Sequence, residues 1–326
     1  MKLKVLSLIL FSALSLSAFD LMPYKKIVCF GDSITHGGYY DMYLQEYLAE
    51  KDPAHRRRVI NRGISGDTVP KLLKRVDRML KEDQPDLVII MIGINDLMFS
   101  TKFAEKDLPF EAAVKKYPVF NRFEKNLGKL LDIFNRAKVP VVLLATPPYN
   151  ESSHPEMKGR INANMNSSGV KNLLIMEQRL AKEKGAVWID IHAPMLKNLQ
   201  ENDARFPRGK SDRVHPSRPE HLIIAQTIIG GQYQPGKKAS AALKYRSAQK
   251  NCKEVIALLN SFPANCTTPE QRIALLKKRV ENDKGKSYYQ YSLNMLPKRI
   301  KIVEEPDAGN KARNQIEKAF QELYRP

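Results

Sequence analysis

Short apolar runs alternate with stretches of helical spacing over the first 230 residues of the chain. The runs are Lys26–Phe30 (KIVCF), Arg58–Ile60, Leu87–Ile92 (LVIIMI), Val139–Ala145 and Ala186–Ile191. Leu87–Ile92 has no polar position, as in a strand covered on both faces. Between the runs, Tyr39–Glu50, Val69–Lys81, Phe120–Lys138 and Asn172–Lys184 read as helices. In the second of these, Leu72, Leu73, Val76 and Leu80 recur at near-helical spacing. A last helix is predicted from near Pro216, with Ser217 and Glu220 placed as a capping box. Strand and helix alternating five times predict an α/β fold: a parallel sheet with helices on both faces and right-handed crossovers. We expect five strands in the flavodoxin-like order 2-1-3-4-5. Three stretches exceed a minimal connection: about Leu97–Tyr117, Pro147–Asn166 and Gln200–Asp212. Long loops at the carboxyl ends of parallel strands build a binding crevice.

Residues 1–18 (MKLKVLSLILFSALSLSA) depart from this pattern. Lys2 and Lys4 precede an apolar run from Val5, and Ser15 and Ser17 fit the small residues before a cleavage site near Ser17 or Ala18. This is the pattern of a secretory signal peptide. It predicts an exported mature protein, periplasmic or extracellular. An uncleaved membrane anchor is the alternative, although the run is short for a spanning helix.

The composition shifts again near Gln234-Pro235-Gly236. Residues 236–326 hold 19 Lys and Arg against 9 Asp and Glu, which is more than half of the chain's net charge of +19. Helical patterns recur there at Ala239–Leu259, Pro269–Asn282 and Asn310–Tyr324. The expected organisation is a signal peptide at 1–18, a main α/β domain at 19–235 and a basic helical extension at 236–326. The extension reads as a solvated basic surface beside the domain, or as a contact for anionic glycan or the cell envelope. Excess basic charge also suits nucleic acid, but export and the lack of a recognised module argue against that partner. In an oxidising compartment Cys252 and Cys266 are expected to pair. Cys29, in an apolar strand, is expected to be a buried thiol.

Three motifs close the first three strands: Gly31-Asp32-Ser33-Ile34-Thr35, Asn61-Arg62-Gly63-Ile64-Ser65-Gly66-Asp67 and Gly93-Ile94-Asn95-Asp96. A fourth, Asp212-Arg213-Val214-His215-Pro216, precedes the last helix. Strand carboxyl ends share one edge of a parallel sheet, so the first three can converge. A serine hydroxyl becomes an effective nucleophile when a base takes its proton. Ser33, after a tight Gly-Asp turn, is the candidate nucleophile, and His215 is the candidate base. Asp212 can accept from the Nδ1–H of His215, fixing its tautomer and stabilising the imidazolium. The backbone N–H groups of Ser33 and Gly66 and the side-chain amide of Asn95 are suited to an oxyanion. Gly31, Asp32, Gly93 and Asp96 frame these groups. Each motif alone has a structural explanation as a turn or cap, but all four in this order point to a catalytic cluster. Activity is expected to fall on acidification, as His215 takes up a proton.

Other residues carry weaker signals. His36, beside the nucleophile motif, is a pocket-lining or surface residue. His192 is a helix cap or substrate contact, and His154, with Tyr149 and Asn150, a substrate-wall candidate. His221 reads as a surface or packing residue on the last helix, and Trp188 as a core residue. No Gly-x-Ser-x-Gly elbow, Walker A or Gly-x-Gly-x-x-Gly is present, and no Cys/His spacing suits zinc. No metal or cofactor is therefore expected.

The four blocks resemble those of the SGNH hydrolases, also called GDSL esterases/lipases, named for Ser, Gly, Asn and His. Ser33, Gly66, Asn95 and His215 match them in order, and Asp212 matches the family's acid. The resemblance covers about Tyr24 to Gly230. It implies a three-layer α/β/α fold, a Ser-His-Asp triad without metal, and hydrolysis of esters or thioesters. It does not extend to the basic tail. The family includes lipases, thioesterases, lysophospholipases and carbohydrate acetylesterases. The loops here are rich in Asn, Ser, Pro, Lys and Arg and poor in large aliphatics, which suits a sugar or short acyl group better than a long chain. The expected substrate is an acylated carbohydrate, with acetyl as the acyl group. A lysophospholipase or short-chain lipase, or a thioesterase, is the second reading. A glycan- or polyanion-binding module without turnover is the non-enzyme alternative, and the intact Ser33, Asn95, Asp212 and His215 speak against it.

Overall fold

A computed structural model describes residues 19–100, 102–151, 164–201, 214–285 and 289–325. Strand β1 (Lys26–Gly31) runs into α1 (Ser33–Gly37) and then α2 (Tyr40–Lys51). After β2 (Arg58–Asn61) come α3 (Val69–Leu73) and α4 (Val76–Asp83). After β3 (Leu87–Met91) come α5 (Ile94–Met98), α6 (Phe110–Lys116) and α7 (Pro118–Arg136). Strand β4 (Val141–Leu144) is followed in the chain by a π-helical turn (Met165–Val170) and α8 (Lys171–Lys184). Strand β5 (Val187–Ile189) is followed by α9 (His192–Glu201) and α10 (Arg218–Ile229). The C-terminal region forms α11 (Ala239–Leu259), α12 (Pro269–Glu281), α13 (Tyr289–Glu304) and α14 (Ala308–Leu323).

The five strands form one parallel sheet in the order β2-β1-β3-β4-β5, the order expected from the sequence. The path from β1 to β2 moves one way across the sheet, and every later crossover moves the other way. Right-handed crossovers therefore put α2 on one face and α3, α7 and α8 on the opposite face. Residues Ile27–Phe30 and all of β3 are fully buried between these layers. Helix α7 fits its side through Phe120, Phe123, Leu127, Leu130, Leu131 and Phe134, all buried, at the i, i+3, i+4 spacing of an apolar stripe. Helix α10 returns to the α2 face. Its start is the expected capping box: the Glu220 N–H donates to Ser217 Oγ (3.4 Å), and the Ser217 N–H donates to Glu220 Oε2 (2.6 Å).

Strand β2 is an edge strand, with outward-facing backbone groups that need partners. They are met by side chains. Gln45 of α2 accepts from the Val59 N–H (2.8 Å) and donates to the Arg57 carbonyl (3.0 Å). Gln249 of α11 accepts from the Asn61 N–H and donates to the Val59 carbonyl, both at 3.0 Å. The Tyr324 hydroxyl also donates to the Arg57 carbonyl (2.8 Å). The chain beyond Gly236 is thus built into the sheet edge. Arg58 stacks over Phe320 (3.8 Å to the ring centre), and Arg246 pairs with buried Asp41 (3.4 Å).

Several local expectations need correction. The helix expected over Val69–Lys81 is two helices, broken at Lys74 and Arg75. Arg75 leaves helical geometry (φ −129°, ψ −1°) because its side chain is drawn toward Asp67 and the Gly31 carbonyl. Helix α13 is absent from the expected elements; it contains Pro297, a residue that argues against a helix interior. The expected Cys252–Cys266 disulfide is absent: both thiols are free. Cys252 is buried on α11 close to Arg62 and Arg313, whereas Cys266 lies in the turn before α12, its N–H bonded to the Pro263 carbonyl. Cys29 is a buried thiol. Residues 1–18 and His154 lie outside the described residues, as do residues 152–163 of the Pro147–Asn166 stretch and nearly all of Gln200–Asp212. Among the described residues no helix is long and apolar enough to cross a membrane.

Candidate active site

The three strand-end motifs and His215 meet at the carboxyl edge of the sheet. Asp32 caps α1, its Oδ1 accepting from the Ile34 N–H (2.9 Å). This places Ser33 as the first residue of α1, half-buried, where a helix leaves its N–H groups without intrahelical acceptors. Ser33 Oγ lies 2.7 Å from His215 Nε2. The Val214–His215 segment is held beside it by the capped start of α10. Asp212 and Arg213 lie outside the described residues.

Gly66 turns the chain after β2 with φ +77°, a left-handed conformation that favours glycine. Its carbonyl accepts from Lys71 Nζ (2.8 Å). Gly93 (φ +130°) turns the end of β3 into α5, where a Cβ would meet Thr146 Oγ1 at 2.6 Å. Asn95 follows on α5. It commits one amide hydrogen to the Asp67 carbonyl (2.9 Å), while the other makes only a long 3.4 Å contact with Asp32 Oδ2. That second hydrogen is the one available to an incoming oxygen. Asp96 accepts from the Val69 N–H (3.2 Å), so the third motif holds the second in place. Gly31 ends β1 in register with Met91.

Ser33, Gly66, Asn95 and His215 line one cavity of about 490 Å³, together with His36, Met98, Phe99 and Lys250. His36 Nδ1 lies 3.1 Å from the Gly63 carbonyl, so this nitrogen carries the hydrogen. His192 opens α9, its Nδ1 2.9 Å from the Thr146 carbonyl. His221 is buried, its ring stacked on Tyr40 (6.1 Å, 11°), and Trp188 is partly buried on β5. Among the described residues no group of three His, Cys, Asp or Glu side chains is arranged to hold a metal ion.

Four participants gave no signal in the sequence. Arg75 donates to Asp67 Oδ2 (2.8 Å), to the Arg62 carbonyl (2.8 Å) and to the Gly31 carbonyl (3.0 Å), and covers the Phe30 ring. It ties the first motif to the second. Met98 and Phe99 lie one turn past Asn95 at the mouth, and Phe99 is 65% exposed. Lys250 comes from α11, far along the chain.

Burial pushes several carboxyls upward. Asp32 and Asp96 are each raised to about 7, mainly by loss of water, although backbone N–H groups pull them down. Glu177 on α8 is raised to about 8 for the same reason. The Thr146 N–H, which donates to Glu177 Oε2 (3.1 Å), pulls the other way but is outweighed by burial. The Thr146 hydroxyl is 3.0 Å from the Ile92 carbonyl and 2.6 Å from Glu177 Oε1, and it has one hydrogen. If that hydrogen goes to Ile92, Glu177 must donate its own. A raised carboxyl binds more protons folded than unfolded, so its contribution to stability is complete at low pH and lost as pH rises through the folded value. The window for Glu177 runs from about 4.5 to about 8. Urea melts across it should therefore show wild-type stability falling with pH. Glu177→Gln, whose amide can donate to Thr146 in the same way, should flatten that slope. An equal slope in the variant would mean that Glu177 is ionised in the fold.

This is the three-layer α/β/α architecture of the SGNH hydrolases, and the protein is a carboxylic ester hydrolase. The chain belongs to the GDSL-like lipase/acylhydrolase family, whose family model matches residues 29–221. It is similar to an acetylxylan esterase of Geobacillus stearothermophilus, 29% identical over 221 residues, spanning 63% of this chain and 92% of that protein. An arylesterase of Vibrio mimicus is 35% identical over 100 residues, 29% of this chain and 48% of that protein. A solved structure of a gut microbial diltiazem-metabolizing enzyme superposes with a TM-score of 0.71 at 14% identity, covering 94% of this chain and 96% of that one. At that identity the likeness is one of fold, and it includes the C-terminal helices.

Proposed function

We propose that the protein is an exported serine esterase that removes short acyl groups, acetyl first, from carbohydrate. The observation that carries the mechanism is the 2.7 Å contact between Ser33 Oγ and His215 Nε2 in a cavity walled by Gly66 and Asn95. His215 takes the Ser33 proton as Oγ attacks the ester carbonyl. The N–H groups of Ser33 and Gly66 and the second amide hydrogen of Asn95 receive the oxyanion. The imidazolium then protonates the leaving sugar oxygen, and water, deprotonated by His215, releases the acid from the acyl-serine. Asp212 is assigned to the Nδ1–H of His215, where it fixes the reactive tautomer.

The similarity to an acetylxylan esterase over nearly its whole length supports an acetylated sugar. The cavity of about 490 Å³ sets the polar Ser33, Ser65, Asn95 and Lys250 beside an exposed aromatic ring, Phe99, at its mouth. Export after cleavage near Ser17 or Ala18 brings such an enzyme to polysaccharide. The test is hydrolysis of p-nitrophenyl esters from C2 to C12, with acetate release from acetylated xylo-oligosaccharide measured alongside. Activity should be confined to C2–C4, with acetate released. A preference for C8–C12 would overturn the short-acyl assignment and favour lipid.

A further inference from the structure

Arg246, Lys250 and Lys253 stand at i, i+4 and i+7 on α11, so they form one stripe on one side of the helix. That side is turned to the active site. Arg246 donates to the His36 carbonyl (3.2 Å), and Lys253 Nζ donates to the Gly63 carbonyl. Lys250 lines the cavity that holds Ser33 and His215. It also lines a recess of about 10 Å³ with His36, Asn61, Arg246 and Lys253, room for a single water. Three like charges on one helix face repel one another and need compensation. Arg246 has it in Asp41. Lys253 is half-buried, and its proton is loosened by loss of water and by Arg75 and Arg62, to about 7. Lys250 is exposed and, among the described residues, has no carboxylate within ion-pair distance. None of the described residues lining either space is acidic. The local potential is registered by His36, whose proton affinity is lowered by burial and by the charges of Lys253 and Lys250.

We propose that Lys250, carried into the active site by the C-terminal region, receives a carboxylate of the substrate, so that the preferred ester is an acylated acidic sugar such as a uronate. This rests on the esterase reading above. The backbone that carries Lys250 is anchored beside the cavity, because its neighbour Gln249 is pinned to the edge of β2 by two hydrogen bonds. The extension thereby becomes part of the substrate site, and its positive charge acts next to the scissile ester.

The test compares kcat/KM for an acetylated uronic-acid oligosaccharide and its carboxyl-reduced, neutral counterpart. Wild type, Lys250→Met, Lys250→Arg and Ser33→Ala are assayed on both. The anionic-to-neutral ratio should exceed one in the wild type and fall about fivefold in Lys250→Met, as for one exposed ion pair. It should recover in Lys250→Arg, and the wild-type ratio should shrink with added salt. Thermal melting confirms that each variant is folded. An unchanged ratio in folded Lys250→Met, with hydrolysis still dependent on Ser33, overturns this assignment alone. Hydrolysis that survives Ser33→Ala, or no hydrolysis of either substrate, overturns the esterase mechanism and this inference with it.

Discussion

Ser33→Ala is expected to lower turnover by about 10⁵-fold or more while leaving the fold intact. The hydroxyl has one protein partner among the described residues, His215 Nε2 at 2.7 Å, so its removal leaves no buried group unpaired. Helix α1 is held by the Asp32 cap and by the His36 N–H on the Asp32 carbonyl (2.9 Å), neither of which needs the serine side chain. The N–H groups and the Asn95 amide stay in place, so a residual rate of about 10³–10⁴ over water should remain from them and from binding. Steady-state hydrolysis of p-nitrophenyl acetate measures the loss. A serine-directed phosphonate should label the wild type once and the variant not at all. Activity within tenfold of wild type would place the nucleophile elsewhere.

Much of this site was legible because its residues sit where strands end. The apolar runs located the strands, right-handed crossovers and parallel pairing put their carboxyl ends on one edge, and Ser33, Gly66 and Asn95 fell there together. Gly66 and Asn95 could be read as neighbours of Ser33 for the same reason, and all three line one cavity. What the sequence did not show was the support between these motifs. Asp96 reads as a motif residue, but its bond to the Val69 N–H joins α5 to the start of α3, 27 residues apart. Periodicity describes one element at a time and carries no information on such a bond. Lys250 was hidden for a related reason. In a basic tail with 19 Lys and Arg, one lysine has no distinguishing neighbour. It acquires a place only when Gln249 docks on an edge strand 190 residues earlier, and that pairing has no local signature.

Arg75 shows the same difficulty at larger energetic cost. Helical spacing ran through it, and the structure breaks the helix there to let its guanidinium reach three acceptors. Arg75→Met is expected to destabilise the fold by about 3–5 kcal/mol, the usual cost of removing one partner of a buried pair. Both members are largely buried, with 11% of the Arg75 side chain and 6% of the Asp67 side chain exposed. Methionine keeps the contact with Phe30 but leaves the Asp67 carboxylate and the Arg62 carbonyl without their donor, and the Gly31 carbonyl with the Ile64 N–H (3.0 Å) in place of two donors. Because Asp67 follows Gly66 and its carbonyl receives Asn95, the loosened loop should also reduce kcat in the fraction that remains folded. Arg75→Lys should recover little of either effect, since an ammonium is a point charge and cannot span acceptors on two different segments as a planar fork does. Urea melts give the stability change, and kcat measured well below the melting transition separates the catalytic loss from the folding loss. If Arg75→Lys restored both, charge alone would hold the loop; if Arg75→Met changed neither, the link between the first two motifs would lie elsewhere.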